Sequence, residues 1–463
     1  MNNIKDFDNI YFVGAGGIGM AALERYFVSK GKHVAGYDRT PSALTKALAD
    51  EGVVITYEDS VATIPASMTD PATTLVVYTP AVPHTNAILR YFEDGGFTMI
   101  KRAAALGVIT RSSQAICFAG THGKTTTSSM CAHILHTAEV GCNAFLGGIL
   151  RNYGSNLLLS ATSPWSVVEA DEYDRSFHQL HPAIAVITAT DPDHLDIYGT
   201  EEAYLESFAH FTELIAEGGT LIVHTGLKLR PRPADSVRVL TYSRTEGDFH
   251  ADNIRMGDGR IVFDFVGPDR RIADIELGVP VDINIDNAIA SIAAATITGD
   301  VTDDDIRTAM ASFMGPERRF EFHLRETDGL RRAVIDDYAH HPDELSASIK
   351  SVKALFPDRK ITVAFQPHLY SRTRDFAAEF AEALSHADKV ILLDIYPARE
   401  EPIPGVTSKI IFDKIIGPEK MLIAKENLVE TIKNCNFDIL LTAGAGDINL
   451  SLPQIVKNAR QTR

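Results

Sequence analysis

The chain has 463 residues, more than one ordinary hydrophobic core accommodates, so roughly two to four domains are expected. A content of 45% hydrophobic and 23% charged residues is that of a globular protein and excludes a disordered one. The net charge of −17, with no run rich in Lys or Arg, argues against a nucleic-acid surface.

An anionic substrate remains possible, because clustered backbone amides and a few arginines reverse the potential locally. The opening MNNIKDFDNI lacks the apolar core of a signal peptide, and no segment approaches about 18 uninterrupted apolar residues. A cytoplasmic protein without membrane insertion is expected. The four cysteines, Cys117, Cys131, Cys142 and Cys435, have no CxxC spacing, so reduced thiols are expected rather than disulfides or a metal site.

In chain order, Ile10–Val13 reads as an apolar strand, Gly14, Gly16 and Gly19 spell G-x-G-x-x-G, Ala21–Ser29 continues as a helix, and His33–Tyr37 is a second strand. Asp38 follows about 20 residues after the turn, where a ribose hydroxyl would be read. The glycines let backbone N–H groups approach a diphosphate at a helix N-terminus. This pattern recognises a diphosphate on a ribose and says nothing about nicotinamide. TLVVYTPAV (74–82) and FTMIKRAAAL (97–106) complete a first α/β unit, residues 1–108.

AICFAG (115–120) opens a second unit, residues 109–317, which contains WSVVEADEYD (165–174), AIAVITATDPDHLD (183–196) and TLIVHTG (220–226). Residues 237–277 change to short alternating strands, predicting an antiparallel patch on the edge of this domain. NIDNAIASIAAATITG (284–299) is an Ala/Ile-rich helix, and GPERRFEF (315–322) is the expected hinge. RRAVIDDY, KITVAFQP, KVILLDIY, KMLIAK and DILLTAGAG are the strands of a third unit, residues 318–463. The predicted fold is three α/β domains: Rossmann-like, a central P-loop ATPase with the antiparallel edge patch, and Rossmann-like again.

ICFAGTHGKTTTSSM places a glycine loop between a strand and a helix, as a phosphate-binding loop requires. Lys124 is positioned for the β- and γ-phosphates and the Thr125 hydroxyl for Mg²⁺. Ligands in open α/β sheets bind beyond the carboxyl ends of the strands. Two neighbouring strand ends are polar: Glu169 follows an apolar run, and His194 is flanked by Asp193 and Asp196. A hard cation takes carboxylate oxygen and accepts imidazole.

GTHGKTTT, EADEYDRSF, DHLD, GPERRFEF, DDYAHHPDE, FQPHLYSRT, LLDIYPARE and GAGDI occur in the order seen in the Mur ligases of bacterial cell-wall synthesis, and the chain resembles that family over all three domains. The resemblance implies ATP-dependent ligation of L-alanine to the lactyl carboxylate of UDP-N-acetylmuramate. The first glycine loop then holds the UDP-sugar diphosphate through Gly14, Gly16, Gly17 and Gly19, with Asp38, Thr79 and Ser176. The resemblance assigns ATP to Gly120, Thr121, His122, Gly123, Lys124, Thr125 and Thr126, with Asn284 and Asn287 on the adenine side. Arg319 (or its neighbour Arg318) reaches the phosphates from the hinge, and Asp337 lies near the ribose. Thr125 and Glu169 hold one Mg²⁺, and Glu169 with His194 a second. His340 and Arg372 serve the acyl phosphate, and Tyr338, His341, His368 and Arg372 the amino acid, from the ends of adjacent strands.

Some positions depart from the family pattern: Ile283 stands where many relatives have His, Ala189 where they have Asn, and Leu369 where they have Arg. Three rival readings are weaker. A nicotinamide oxidoreductase leaves the second loop unexplained. A nucleotide-switch GTPase lacks an N-K-x-D guanine reader and gives the first loop no job. A muropeptide-recycling ligase on the same UDP-sugar is opposed by DIYPARE and GAGDI. Some relatives bridge their metals with a carbamylated lysine shortly after DHxD, but 195–217 contains no Lys. Activity is therefore expected to be independent of carbon dioxide, and rescue of a carbon-dioxide-depleted preparation by bicarbonate would refute this.

Overall fold

A computed structural model describes residues 7–257, 259–325, 332–398 and 400–461, without the side chains of Leu195 and Asp196. Outside these lie MNNIKD, Arg331 at the front of the predicted strand RRAVIDDY, Arg399 of DIYPARE, and the Asp196 carboxylate of DHLD. The chain forms two compact units. The first comprises the chain up to Asp252 with Asp264–Ile275 and Asp286–Phe313. The second comprises Asn253–Phe263, Glu276–Ile285 and the chain from Met314 onward.

The first unit contains an all-parallel sheet and a larger, mostly parallel one. Strands β1 (Asn9–Val13), β2 (His33–Tyr37), β3 (Val54–Thr56), β4 (Thr74–Tyr78) and β5 (Thr98–Lys101) assemble in the order β3-β2-β1-β4-β5. β1 lies at the point where strand order reverses, and every residue of NIYFV is buried, as a strand covered on both faces requires. The following helix spans Ile18–Ser29, three residues earlier than its apolar pattern indicated, because Gly17 supplies the N-cap.

The larger sheet contains β6 (Gln114–Ala119), β7 (Asn143–Leu150), β8 (Ser155–Leu158), β9 (Trp165–Ala170), β10 (Pro182–Ile187), β11 (Thr220–His224) and β12 (Arg238–Tyr242), in the order β12-β11-β10-β6-β9-β7-β8. The expected antiparallel edge patch at 237–277 is corrected for its first strand. VRVLTYS pairs parallel with β11 from Thr220↔Arg238 to His224↔Tyr242, and the antiparallel edge of this sheet is the β7–β8 hairpin. The rest of the segment forms its own three-stranded sheet, β13 (His250–Gly257), β14 (Arg260–Gly267) and β15 (Arg270–Glu276). Alternating polarity revealed the strands but could not identify their neighbours.

The second unit carries β16 (Glu321–Leu324), β17 (Ala333–Asp337), β18 (Ile361–Phe365), β19 (Lys389–Leu393), β20 (Glu419–Ile423) and β21 (Ile439–Ala443), ordered β16-β17-β21-β18-β19-β20. Only β16 is antiparallel to its neighbour. The last strand, β21, therefore inserts between β17 and β18, whose ends were expected to be adjacent.

Within the first unit, helix Arg102–Arg111 packs backbone to backbone on the segment after β9. A Cβ on Gly107 would lie 2.2 Å from the Gln179 carbonyl oxygen. That oxygen belongs to main chain and cannot rotate away. Gly107→Ala is therefore expected to destabilise the first unit by roughly 1–3 kcal/mol, despite the helix propensity gained. Its thermal midpoint should fall by a few degrees, and an unchanged or raised midpoint would refute this contact.

Candidate active site

The loop after β1 is closed by its neighbours. Gly14 and Ala15 donate to the Tyr37 carbonyl at 2.8 and 2.9 Å, and Gly16 N–H donates to Asp38 Oδ2 at 2.6 Å. Gly14 has φ +95°, and a Cβ there would lie 2.3 Å from Thr79 Cγ2, so no larger residue fits without displacing Thr79. Gly14, Gly16, Asp38 and Thr79 are thus brought together, and Gly17 caps the helix without a side-chain bond. Asp38 Oδ1 accepts from Thr40 N–H at 3.0 Å, so the acid expected to read a ribose also closes the turn. A cation unremarked in the sequence stands here: Arg102 Nη1 would lie 2.8 Å from a Cβ on Gly19, and Arg102 Nη2 donates to Asp171 Oδ2 at 3.1 Å. Ser176 is half-buried in the same 173–179 segment, which Lys101 ties down through Asp174 at 3.2 Å.

The second loop leaves β6 at Gly120 (φ +144°) and enters helix Lys124–Thr137 at Gly123 (φ +83°). A Cβ on Gly120 would lie 2.1 Å from Thr188 Oγ1, and one on Gly123 would lie 2.8 Å from Asn287 Oδ1. Thr188 Oγ1 donates to the His122 carbonyl at 2.5 Å, and Thr121 N–H donates to the Ala189 carbonyl at 3.1 Å. Ala189, one of the departures, therefore supports the loop through its main chain. Asn287 meets Thr127 Oγ1 at 3.1 Å and so joins the loop. Asn284 instead donates to the Val279 carbonyl at 3.0 Å. Ile283 beside it is 58% exposed.

Lys124 Nζ donates to the Gly120 carbonyl at 2.6 Å and to Glu172 at 2.9 Å. Glu169 Oε2 accepts from Gly147 N–H at 2.9 Å. Burial raises the Glu169 carboxyl above its ordinary range, while the Thr125 hydroxyl and the Lys124 charge pull it down. Thr125 and Glu169 thus supply adjacent oxygen donors, which suit a hard cation such as Mg²⁺. His194, at φ +52°, meets the Tyr173 ring edge-on at 5.1 Å and Asp193 at 3.7 Å. Among the described residues no three His, Cys, Asp or Glu side chains converge as a ready cation cage.

In the second unit Arg318 is committed to structural partners. Its guanidinium donates to the Gly444 and Gly446 carbonyls at 2.6 and 3.0 Å and to Asp336 at 3.3 Å, tying the start of the unit to the end of β21. Arg319 is exposed, its guanidinium 5.9 Å from the Tyr338 ring, so of the two hinge arginines it is the one available to a ligand.

Although β21 separates their strands, His340 and His368 lie 6.1 Å apart, ring to ring. His340 Nδ1 approaches the Tyr338 carbonyl at 3.1 Å, and Glu344 accepts from the His340 N–H at 3.0 Å. Burial opposes the Glu344 charge, but the bonds from His340 pull this carboxyl down to about 2. His341 caps helix Pro342–Leu355 and packs on Phe376 at 5.0 Å. His368 stacks on Tyr396 at 5.8 Å, and burial, with His340 and Arg372 nearby, lowers its pKa and favours the neutral ring. Arg372 Nη1 and His368 Nδ1 are buried without hydrogen-bond partners. Two orphaned buried nitrogens in one cluster are costly unless a ligand engages them.

Similarity to known proteins defines the class. The Mur ligase family, catalytic domain matches residues 9–114, the Mur ligase middle domain matches 118–295, and the Mur ligase, glutamate ligase domain matches 318–448. The chain belongs to the Mur ligase family. It is 59% identical over 448 residues to the UDP-N-acetylmuramate–L-alanine ligase of Parabacteroides distasonis, covering 96% of each chain. It is 56% identical over 454 residues to the ligase of the same name from Phocaeicola vulgatus, covering 98% of each. The crystal structure of UDP-N-acetylmuramate-alanine ligase MurC from Thermotoga maritima matches with a TM-score of 0.80 at 27% identity, over 98% of this chain and all of that one.

Sequence reasoning missed Glu172 and Arg102. EADEYD contains several acids, and only the fold shows which one faces Lys124. Asp337 was anticipated, but its protonation was not: burial pushes its carboxyl up to about 6, against the Ser348 hydroxyl that donates to it at 2.6 Å. The folded chain holds this proton where the unfolded chain has lost it. Its stabilising contribution is full below about pH 4 and is lost as the pH rises through about 6. Asp337→Asn should therefore gain roughly 2–3 kcal/mol relative to the parent as urea titrations move from about pH 4 to above 6. A stability difference that does not vary with pH would exclude the shift.

Proposed function

We propose that this chain joins L-alanine to the lactyl carboxylate of UDP-N-acetylmuramate at the expense of ATP. The observation that carries this reading is near full-length identity above half to ligases of that name, together with a retained phosphate loop. The murein peptide ligase of Psychrobacter arcticus shares the fold at a TM-score of 0.62, but at 21% identity it gives the recycling alternative no further support.

A carboxylate and an amine do not condense directly in water, because oxide is too poor a leaving group. Attack of the lactyl carboxylate on the γ-phosphorus expels ADP and leaves an acyl phosphate. The alanine amine then adds to the acyl carbon, phosphate departs from the tetrahedral intermediate, and the nitrogen gives up its proton. Both steps concentrate negative charge, so positioning and fixed donors supply most of the catalysis.

Each residue group has a task in this reading. Gly14, Gly16, Gly17 and Gly19, with Asp38, Thr79 and Ser176, receive the UDP-sugar. Gly120–Thr126 and Asn287 receive ATP, joined by Asn284, Arg319 and Asp337. Thr125 and Glu169 would hold one Mg²⁺, and Glu169 with His194 a second; bound there, Mg²⁺ neutralises phosphate charge. His340 serves the acyl phosphate. Arg372 pairs with the alanine carboxylate through its orphaned nitrogen, and Tyr338, His341 and His368 line that site. The three functional divisions are 1–108, 109–317 and 318–463. The cytoplasm is the compartment this reading assigns, and among the described residues no helix is long and apolar enough to cross a membrane.

The test is phosphate release from ATP with UDP-N-acetylmuramate, scanned over amino acids. Alanine should be preferred. Glycine should be slower by about ten- to two-hundredfold, the worth of one methyl, and glutamate nearly inert. Lys124→Ala, folded but without its ammonium, should lose about a hundredfold or more in turnover. Similar kcat/KM for alanine and glutamate would overturn the substrate, and near-normal turnover by Lys124→Ala would overturn the phosphate loop.

A further inference from the structure

Lys124 does not face the phosphate loop alone. An ammonium has three donors. One goes to the Gly120 carbonyl at 2.6 Å and one to the Glu172 carboxylate at 2.8–2.9 Å. The third has only the Thr121 carbonyl at 3.4 Å, a poor partner. Glu172, whose side chain is 2% exposed, places a buried negative charge against a loop built for a polyanion.

Stability is a weak reason for such an acid, since replacing a buried ion pair with apolar groups is often neutral or stabilising. Its surroundings also hold it unusually well. The Tyr198 hydroxyl donates to the Glu172 carbonyl at 2.5 Å, and the Tyr198 ring meets Tyr204 edge-on at 4.9 Å. The Tyr204 hydroxyl bonds Thr121 Oγ1 at 2.8 Å, returning the circuit to the loop. Tyr198 N–H also donates to the His194 carbonyl at 3.0 Å, so the circuit fixes the segment bearing His194.

We propose that Glu172 is the positioning residue for Lys124. Its carboxylate and the Gly120 carbonyl take two donors and aim the third at the transferred phosphate. Its charge also tempers the pull of the ammonium, so that ADP is released after transfer. This rests on the phosphate-loop reading above. Interactions that hold reactant, transition state and product alike do not raise kcat, and a counter-charge beside the lysine limits such uniform binding.

The test is a double-mutant cycle on the full chain, with binding of Mg²⁺–AMP-PNP and Mg²⁺–ADP measured by calorimetry and folding checked by Tm. Glu172→Gln keeps the shape and an acceptor but removes the charge. It should tighten both nucleotides by about fivefold or more and lower kcat by a similar factor. In a Lys124→Met background the same change should alter affinity by less than about twofold. An equal change in both backgrounds, or none with Lys124 present, overturns the proposal. Tyr198→Phe, which keeps both charges and loosens the circuit, should lower kcat several-fold with ADP affinity nearly unchanged. It decides the positioning claim if the Gln variant does not fold, and a shift in Tm alone refutes that claim. Failure of the parent protein to bind either nucleotide would instead overturn the phosphate loop itself.

Discussion

Gly120 leaves its strand at φ +144°, so close to Thr188 that a single methyl would lie 2.1 Å from that hydroxyl. This approach sets the height of the phosphate loop above the sheet. Thr188 belongs to the end of the neighbouring strand, and its hydroxyl holds the loop from the other side at His122. The register between β10 and β6, Ile187↔Ala119, is thereby converted into the position of Lys124 one turn later. Glu169 enters the same frame because β9 pairs with β6 at Phe118↔Glu169. The parallel ladder, more than any single side chain, brings a cation, a hydroxyl and a carboxylate to one edge.

A protein of net charge −17 that takes two phosphate-bearing substrates and a carboxylate works against its own long-range field. The solution here is local. Glycine turns offer backbone amides at helix N-termini, where the donors cost no net charge. The cations are few and individually managed: Lys124 is paired with Glu172, Arg102 with Asp171, and Arg318 with main-chain carbonyls and Asp336. Arg372 differs from these, with a buried nitrogen left for something else. Charge at such sites is set by pairing over a few ångströms, where a composition-level sum carries no information.

Glycine loops, strand ends and the order of short motifs were legible in the sequence, because each is a local rule: a tight turn needs glycine, and a buried parallel strand needs an apolar run. Relations between distant segments were not. The insertion of β21 between β17 and β18, and the parallel addition of VRVLTYS to β11, depend on sheet order, which periodicity does not encode. The two hinge arginines are equivalent in GPERRFEF. Only the carbonyls of Gly444 and Gly446, more than a hundred residues away, show that Arg318 is committed to structure. Glu172 was hidden for the same reason.

The two glycine loops also show how far a motif can be read. The spacings differ, G-x-G-x-x-G from Gly14 and G-x-x-G-K-T from Gly120, and both loops use positive φ at the first glycine. What distinguishes them lies outside the glycines. In the first loop the nearby acid, Asp38, takes backbone N–H groups from Gly16 and Thr40 and so becomes part of the turn. In the second, the nearby acid, Glu172, takes a lysine. An acid spent on backbone fixes the shape of its turn. An acid spent on an ammonium partly offsets the charge that the loop presents. The two glycine loops thus differ in what their neighbouring acids hold, backbone N–H groups in the first and a lysine ammonium in the second.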